Sequence, residues 1–299
     1  RGDIDLFRDG VSMLEEMAGV PVLGVIPYFR GFSIDAEDAV PLASMVDPQA
    51  EPEAGRTGVA AVYFPHISNF TDLSPLEQDP GVAVHYLHYP RSLDNYRMLV
   101  LPGSKNVRGD LAWLRSLGWE ERIREFRERG GVVVGVCGGY QMLGRSIADP
   151  FGMEGEPGAS PGLGLLDVDT VLEQEKCLCN ATGVLEDAGV TGHGYEIHMG
   201  RTSLSGACRP FIRVLMRNGE TTCDGDGARS GDGKVIGTYF HGIFDEPRVR
   251  EWFLSLADPG YRPARHACSM EESYDRLAEH FTRHLDLEKL FAMIGRVQA

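Results

Sequence analysis

Residues 131–144 combine a cysteine with a local pattern that is typical of an activated nucleophile. The valine-rich segment 132–136 predicts a buried parallel strand that ends at Cys137. Two glycines follow, and residues 140–143 are compatible with a helix. A thiol at such a turn stands above the sheet edge, where the helix N-terminus favours the thiolate and free N–H groups can hold an oxyanion. The alternative is a structural cysteine beside a glycine-rich turn.

A cysteine nucleophile needs a base, and its histidine partner can lie far away in the sequence. His241 follows residues 234–240, which predict a strand, and it precedes Gly242. Because ligands of open α/β sheets bind at the carboxyl ends of strands, His241 is the first candidate. His198 follows the short segment 194–197 and is the second candidate. For each, a structural histidine at a strand end is the alternative.

The segment 101–104, Leu-Pro-Gly-Ser, predicts another strand that ends in a tight turn. The N–H groups of this turn can supply one half of an oxyanion hole, and Gly138 can supply the other half. An ordinary turn without a catalytic role is the alternative, and the spacing does not distinguish the two.

The elements around these residues alternate between strand and helix patterns. We predict strands at 20–27, 58–64, 82–87, 97–101, 131–136, 162–172 and 234–240. We predict helices at 11–19, near 110–117 and at 119–129, and an amphipathic helical tail from about residue 271. This alternation predicts an α/β domain with an open, largely parallel sheet flanked by helices. Residues 44–57 are rich in Pro, Glu, Ala and Gly, which predicts a linker at 51–57.

The charge balance excludes two classes of partner. The 299 residues include 29 Lys and Arg against 44 Asp and Glu, a net charge of -15. So acidic a chain does not attract nucleic acid or an anionic membrane. It contains no stretch of 18 apolar residues, and its first residues do not form a signal peptide. We therefore expect a cytoplasmic protein.

The remaining cysteines and the glycine-rich segment predict no metal site. Cys177, Cys179, Cys208 and Cys223 suggest zinc, but one residue between the first two is not the usual spacing. Residues 223–233 contain several Asp and Gly but lack the spacing and the terminal Glu of a calcium loop. We predict a hairpin turn there, and we expect no disulfide framework at this chain length.

Five blocks in this order resemble the cobyric acid synthase family: residues 64–72, 101–106, 136–144, 194–200 and 237–244. The resemblance covers residues 58–255 and implies a class I glutamine amidotransferase fold there. It implies that Cys137 attacks the side-chain amide of glutamine, forms a glutamyl thioester and releases ammonia. His241 would take the thiol proton and deliver it to the leaving ammonia.

The resemblance also implies roles for other residues. Most triad-type amidotransferases carry an acid two residues after the histidine, but Gly242 and Ile243 follow His241 here. The cobyric acid synthase family also lacks this acid and resembles enzymes that work with a Cys–His dyad. Asp245 is a candidate for orienting the histidine. The other implied site residues are Gly103 and Gly138 for the oxyanion, and Gln141, Tyr195 and Glu196 for the substrate glutamine.

Residues 16–28 resemble the last strand of the family's ATP-dependent half, which has a P-loop-type, dethiobiotin synthetase-like α/β fold. The sequence contains no Gly-x-x-x-x-Gly-Lys-Ser/Thr motif. We therefore expect a C-terminal piece that lacks most of the ATP-binding half. The predicted organisation is a remnant of that half at 1–50, the linker at 51–57, the amidotransferase domain at 58–255 and the helical tail at 256–299.

The leading hypothesis is the glutaminase part of an enzyme that amidates corrin carboxylates. The complete enzyme would use ATP and Mg²⁺ to amidate the b, d, e and g side chains of adenosylcobyrinic acid a,c-diamide, and this chain would hold no cofactor itself. One alternative is a glutaminase with another acceptor: either cell-wall lipid II, where the ligase is a separate chain, or the corrin a and c positions. The other alternative is a non-catalytic module of the same fold. The expected protein partner is an ATP-binding half or a second copy.

Overall fold

The computed structural model describes residues 7–28, 51–263 and 270–297. The chain forms two compact units, residues 1–35 together with 266–299, and residues 36–265. The N-terminal segment and the C-terminal tail, which the sequence analysis treats as separate regions, therefore belong to one unit. Residues 44–50 of the proline- and glutamate-rich segment lie outside the described residues.

The described residues contain the following elements. The helices are α1 (Arg8–Ala18), α2 (Ser74–Glu77), α3 (Val107–Ser116), α4 (Trp119–Glu128), α5 (Gly138–Leu143), α6 (Pro247–Ala257), α7 (Met270–His284) and α8 (Leu287–Val297), with a 3₁₀ helix at Phe70–Leu73. The strands of the first half are β1 (Thr57–Val62), β2 (Ile67–Ser68), β3 (Val82–Leu87), β4 (Met98–Leu101), β5 (Gly103–Ser104), β6 (Val132–Val136), β7 (Ser146–Asp149) and β8 (Gly158–Pro161). Those of the second half are β9 (Val168–Leu185), β10 (Val190–Leu204), β11 (Ile212–Arg217), β12 (Glu220–Thr221), β13 (Gly225–Asp226), β14 (Ala228–Arg229), β15 (Val235–Thr238) and β16 (Phe240–His241).

The larger unit is built on a sheet in the order β14-β15-β6-β4-β1-β3. The neighbours from β15 to β3 run parallel, and β14 is antiparallel to β15. All side chains of β1, β4, β6 and β15 are buried, which explains why these strands are continuous apolar runs. The predicted α/β fold with an open, largely parallel sheet is confirmed. The glycine-rich segment leads into the turn that joins β14 to β15, where the sequence predicts a hairpin.

A second sheet supplies the other wall of the site. Its main path is β12-β11-β9-β10-β16, and β9 and β10 form a long antiparallel ladder. The predicted strand at 162–172 begins only at Val168, because residues 162–166 contact the loop around α5 through backbone hydrogen bonds. Strand β16 pairs with β10 and places His241 opposite Tyr195.

The described part of the smaller unit is helical, with an extended segment between its helices. Helix α1 ends at Gly19, whose φ of 67° suits a glycine cap. The predicted strand at 20–27 is reduced to a single bridge between Gly24 and Leu285, because its neighbour is the junction of α7 and α8 and not a sheet. None of the helices in the described part of the chain is long and apolar enough to cross a membrane.

Helix α5 lies so close to the 101–104 turn that a side chain has no room between them. A Cβ on Gly139 would stand 1.9 Å from the backbone oxygen of Leu101. The Gly139 N–H donates to the Pro102 carbonyl at 3.1 Å, which holds the helix N-terminus against the turn.

We expect Gly139→Ala to lower the free energy of unfolding by about 1–3 kcal/mol or more, because relief of this contact requires backbone movement. Gly192→Ala is the matched control, since a Cβ at Gly192 meets no atom within 4 Å. Urea unfolding of both variants measures the difference. Equal stability of the two variants would contradict the close approach.

Candidate active site

Cys137 occupies a strained turn between β6 and α5. Its backbone has φ 53° and ψ -110°, a conformation that non-glycine residues rarely adopt. The Cys137 N–H donates to the Thr238 carbonyl at 2.8 Å, and the Cys137 carbonyl accepts from Gln141 at 3.1 Å. These bonds hold the turn in place and direct the thiol away from the sheet, as expected of a nucleophile elbow.

His241 is fully buried and bound to a carboxylate. Its Nδ1 lies 2.7 Å from Oδ2 of Asp72, which is also buried. The second oxygen of Asp72 accepts the Gly242 N–H at 2.9 Å. The His241 ring stacks on Tyr195, with 5.0 Å between the ring centroids. Tyr195 is fixed in turn, because Asn69 donates to its hydroxyl at 2.7 Å.

His241 lies beside Cys137, because the thiol is among the groups that raise the His241 pKa. Nε2 is buried and makes no aligned hydrogen bond, while the thiol contacts the Ile197 carbonyl at 3.5 Å. Burial by itself lowers the His241 pKa, but the charge and hydrogen bond of Asp72, with a smaller contribution from Cys137, raise the pKa to about 10. Because Asp72 occupies Nδ1, Cys137 acts through Nε2. This arrangement favours an imidazolium beside the sulfur.

A small hydrogen-bonded network fixes the loop that carries Asp72. Strand β2 in this loop pairs with β5, which places Ser68 opposite Gly103. Asp110 is fully buried and binds both the loop and the turn. One of its oxygens lies 2.8 Å from His66 Nδ1, and the other accepts from the Ser104 hydroxyl at 2.6 Å. The position of Asp72 therefore depends on the same turn that faces the elbow.

The 101–104 turn and the start of α5 meet beside the thiol. A Cβ on Gly138 would lie 2.8 Å from the Ser104 backbone nitrogen. A Cβ on Gly103 would lie 2.8 Å from the Ser68 carbonyl. The Ser104 backbone nitrogen thus lies close to the start of α5, and any larger residue at Gly138 would force the two segments apart.

A cavity of about 310 Å³ opens next to Cys137. Its wall carries the thiol, the amide of Gln141 and charged groups of both signs. The lining includes Lys105, Cys137, Gly138, Gln141, Glu154 and Lys176. Glu154 is fixed, because its two carboxylate oxygens accept the N–H groups of Val107 and Arg108 at 3.0 and 2.8 Å.

Of the three residues expected to grip glutamine, Gln141 lines the cavity, and the other two contact neighbouring side chains. Tyr195 stacks on His241, and the lining of the Cys137 cavity includes neither Tyr195 nor Glu196. Glu196 points to the opposite face of β10, where Arg217 binds its two oxygens at 3.0 Å each. The alternation of side chains along a strand explains this separation, since neighbours on a strand face opposite sides.

His198, the second candidate for the base, has another role. Its Nδ1 lies 2.8 Å from the Gly200 carbonyl, to which it donates, and its ring stacks on Tyr239 at 3.8 Å. Burial lowers the pKa of His198, so the ring is neutral, whereas His241 has the carboxylate partner. The geometry therefore favours His241 as the base.

The residue that the sequence analysis missed is Asp72. Asp245 was the candidate for orienting His241, but Asp72 occupies Nδ1. Asp72 lies 169 residues before His241 in the chain, so no local spacing relates the two. The only signal was its position at the end of the 64–72 block.

The four cysteines that suggested zinc do not come together. The Cys208 sulfur accepts the Asp167 N–H at 3.2 Å, at a separate place in the fold, and Cys223 is exposed. Cys177 and Cys179 instead lie beside Glu196. Burial raises the pKa of both thiols, and the negative charge of Glu196 raises it further, that of Cys179 to about 12.

Known proteins are similar to this chain along its whole length. Proteins named cobyric acid synthase are 64% identical over 299 residues in Pelodictyon phaeoclathratiforme and 64% identical over 296 residues in Chlorobium phaeobacteroides. The alignments cover 100% and 99% of this chain, and the chain spans 59% of the length of each relative. A crystal structure titled glutamine amidotransferase matches 67% of this chain and 99% of its own, with a TM-score of 0.51 and 23% identity, which supports the fold alone.

The sequence family that matches residues 58–249 is described as the CobB/CobQ-like glutamine amidotransferase domain. That range contains Cys137, His241 and Asp72 and covers most of the larger unit. The chain belongs to the CobB/CobQ-like glutamine amidotransferase family.

Proposed function

We propose that this chain hydrolyses glutamine at Cys137 and releases ammonia for an amidation reaction. The observation that carries the proposal is a thiol on a strained elbow, at the edge of a cavity, beside a histidine that a buried carboxylate holds. These are the groups that a cysteine amidase needs: a nucleophile, a proton carrier and a residue that orients the carrier.

The reaction begins with the thiolate of Cys137 attacking the side-chain carbonyl carbon of glutamine. The N–H groups near Gly103 and Gly138 stabilise the oxyanion of the tetrahedral intermediate. His241 gives its Nε2 proton to the departing nitrogen, ammonia leaves and a glutamyl thioester remains. Water then attacks the thioester, His241 takes the proton from this water, and glutamate departs with regeneration of the thiolate and the imidazolium.

The cavity suits a zwitterionic amino acid. Lys105 and Lys176 supply positive charge for the α-carboxylate, and Glu154 supplies negative charge for the α-ammonium group. Gln141 is a polar contact for the substrate. Its amide also donates to the Tyr239 hydroxyl at 3.1 Å, which limits its rotation. Tyr195 acts as a positioning residue for His241, through ring stacking.

The acceptor that we propose is a corrin carboxylate, by analogy with the relatives, which are named cobyric acid synthase. In that assignment the complete protein activates the b, d, e and g carboxylates of adenosylcobyrinic acid a,c-diamide with ATP and Mg²⁺. This sequence contains no phosphate-binding motif for the nucleotide, so none of the steps of glutamine hydrolysis involves ATP. We assign the reaction to the cytoplasm, where thiols stay reduced.

We expect Cys137→Ala to abolish glutamine-dependent ammonia release, because the thioester cannot form without the sulfur. Cys137→Ser should be nearly as inactive, since a hydroxyl ionises far less readily than a thiol beside an imidazolium. Cys223→Ser is the matched control, because this thiol is exposed and should leave turnover unchanged. Ammonia release by the alanine variant at the parental rate would exclude Cys137 as the nucleophile.

Asp72→Asn should lower kcat for glutamine hydrolysis by about a hundredfold or more, because the amide cannot stabilise the imidazolium. The pH dependence gives a second measurement. The raised His241 pKa, about 10, keeps the ring protonated through neutral pH, and without the carboxylate burial lowers this pKa. The alkaline limb of the pH–rate profile should therefore move to lower pH in the variant.

Asp245→Asn is the matched control for the Asp72 variant, since the structure assigns Nδ1 of His241 to Asp72. It should keep kcat within about twofold and leave the alkaline limb unchanged. A profile that shifts in the Asp245 variant but not in the Asp72 variant would reverse the assignment of the orienting carboxylate.

The acceptor proposal has its own test. Residues 1–299 should bind ATP weakly in calorimetry and should not amidate the corrin diamide alone, because the phosphate-binding motif is missing. Addition of the ATP-binding portion of a relative should restore amidation and raise glutaminase turnover. Tight ATP binding by this chain alone, or no amidation after that addition, would refute the corrin assignment without affecting the glutaminase proposal.

A further inference from the structure

Four metal-ligating side chains share one face of the β9–β10 ladder. In the register of these strands, Cys177 lies opposite His198 and Cys179 lies opposite Glu196. Residues two apart on a strand face the same side, so the Cys-x-Cys pair of β9 meets the Glu-x-His pair of β10. The two strands thus form a square of two thiols, a carboxylate and an imidazole.

The distances among three of these side chains, Cys177, Cys179 and Glu196, are close to those of a tetrahedral zinc site. The Cys177 and Cys179 sulfurs are 4.0 Å apart, and they lie 3.8 and 3.6 Å from Oε2 of Glu196. Zinc bond lengths place ligand atoms of a tetrahedron about 3.8 Å apart for two sulfurs and about 3.6 Å apart for sulfur and oxygen. The donor atom of His198 lies within 4.8 Å of those of Cys177 and Glu196.

The hydrogen bonds that His198 and Glu196 make with neighbouring groups also match a metal site. His198 donates from Nδ1 to the Gly200 carbonyl at 2.8 Å, which leaves the lone pair of the neutral ring on Nε2. Such a bond to a backbone carbonyl is the usual way in which a metal-bound histidine is oriented. Arg217 fixes Glu196 through both oxygens at 3.0 Å, and each oxygen keeps a lone pair for a cation.

We propose that Cys177, Cys179, Glu196 and His198 bind one Zn²⁺ ion in a four-coordinate site. The two thiols and the imidazole are donors that borderline-soft cations prefer, and the mixture argues against Mg²⁺ or Ca²⁺, which select oxygen. On binding, each thiol loses its proton to solvent, so the site forms two Zn–S bonds and releases two protons.

The ion has a route to the site and room beside it. A cavity of about 610 Å³ is lined by Cys177, Glu196 and His198 and by further charged residues. Cys179 is buried and is not part of this lining. The opening therefore reaches three of the four ligands.

The position of the site connects it to the proposed glutaminase centre. Ile197 lies between two of the ligands on β10, and its carbonyl contacts the Cys137 thiol at 3.5 Å. His198 and Met199 line the Cys137 cavity as well as the larger one. A zinc ion would cross-link β9 to β10 and fix the strand segment against which the nucleophile rests. The zinc site itself does not depend on the glutaminase proposal.

The experiment uses the full chain with Cys137→Ala, so that the nucleophile does not bind the added metal. After treatment with a chelator, the protein should take up about one Zn²⁺ per chain, measured by competition with a chromogenic chelator and by elemental analysis. Substitution with Co²⁺ should give the visible bands of a tetrahedral ion and thiolate-to-metal charge transfer in the near ultraviolet. An octahedral cobalt spectrum without charge transfer would overturn the proposal even if zinc is retained.

In this background the further change Cys177→Ser/Cys179→Ser should eliminate both the zinc and the charge-transfer band. The matched control is Cys208→Ser/Cys223→Ser, which removes two thiols outside the square and should leave both signals intact. Thermal unfolding separates binding from misfolding, because zinc should raise the Tm of the parent and the control but not that of the Cys177/Cys179 variant. Equal zinc content in the two double variants would overturn the assignment of the ligands.

Discussion

The buried contact between Asp72 and His241 connects segments that are 169 residues apart in the chain. An unpaired carboxylate at this depth would be costly, and the Asp72 side chain has partners for both oxygens, the His241 ring and the Gly242 N–H. The same contact fixes the tautomer of His241 and directs Nε2 toward Cys137. The loop that carries Asp72 therefore has to be held by other parts of the fold, and Asp110 and the β2–β5 pair provide this.

The thiol is positioned by a second constraint, the absence of side chains at the start of α5. The apolar strand β6 fixes the base of the elbow, and the glycines after Cys137 allow α5 to contact the 101–104 turn directly. Backbone strain at Cys137 persists because the sheet below and the turn beside it are both rigid. Catalytic geometry here is a consequence of close packing between backbone segments.

Strand β10 separates two kinds of chemistry by its alternation. Tyr195 and Ile197 face the nucleophile, while Glu196 and His198 face the cysteines of β9. A single strand thus supports the proposed glutaminase site on one side and the proposed zinc ligands on the other. Any change in the pairing of β9 with β10 would alter both sites together.

The sequence by itself determined the elements whose signals are local. The valine run of β6, the Cys-Gly-Gly turn and the strand before His241 each depend on neighbouring residues, and the structure contains all three. The fold class follows from the same periodicity, because buried parallel strands must be apolar throughout. The strand predicted at 20–27 fails because its side chains find a helical junction, which periodicity within the segment does not specify.

Only the tertiary structure decided which distant side chains meet. Asp72 has no spacing relation to His241, so a carboxylate near the histidine in sequence, Asp245, was the natural candidate. The surroundings of Glu196 were decided in a similar way, since strand register places it on the face of β10 where Arg217 binds its carboxylate. Likewise, the sequence spacing of Cys177 and Cys179 argues against a zinc site, whereas the antiparallel register brings Glu196 and His198 beside them as further proposed ligands.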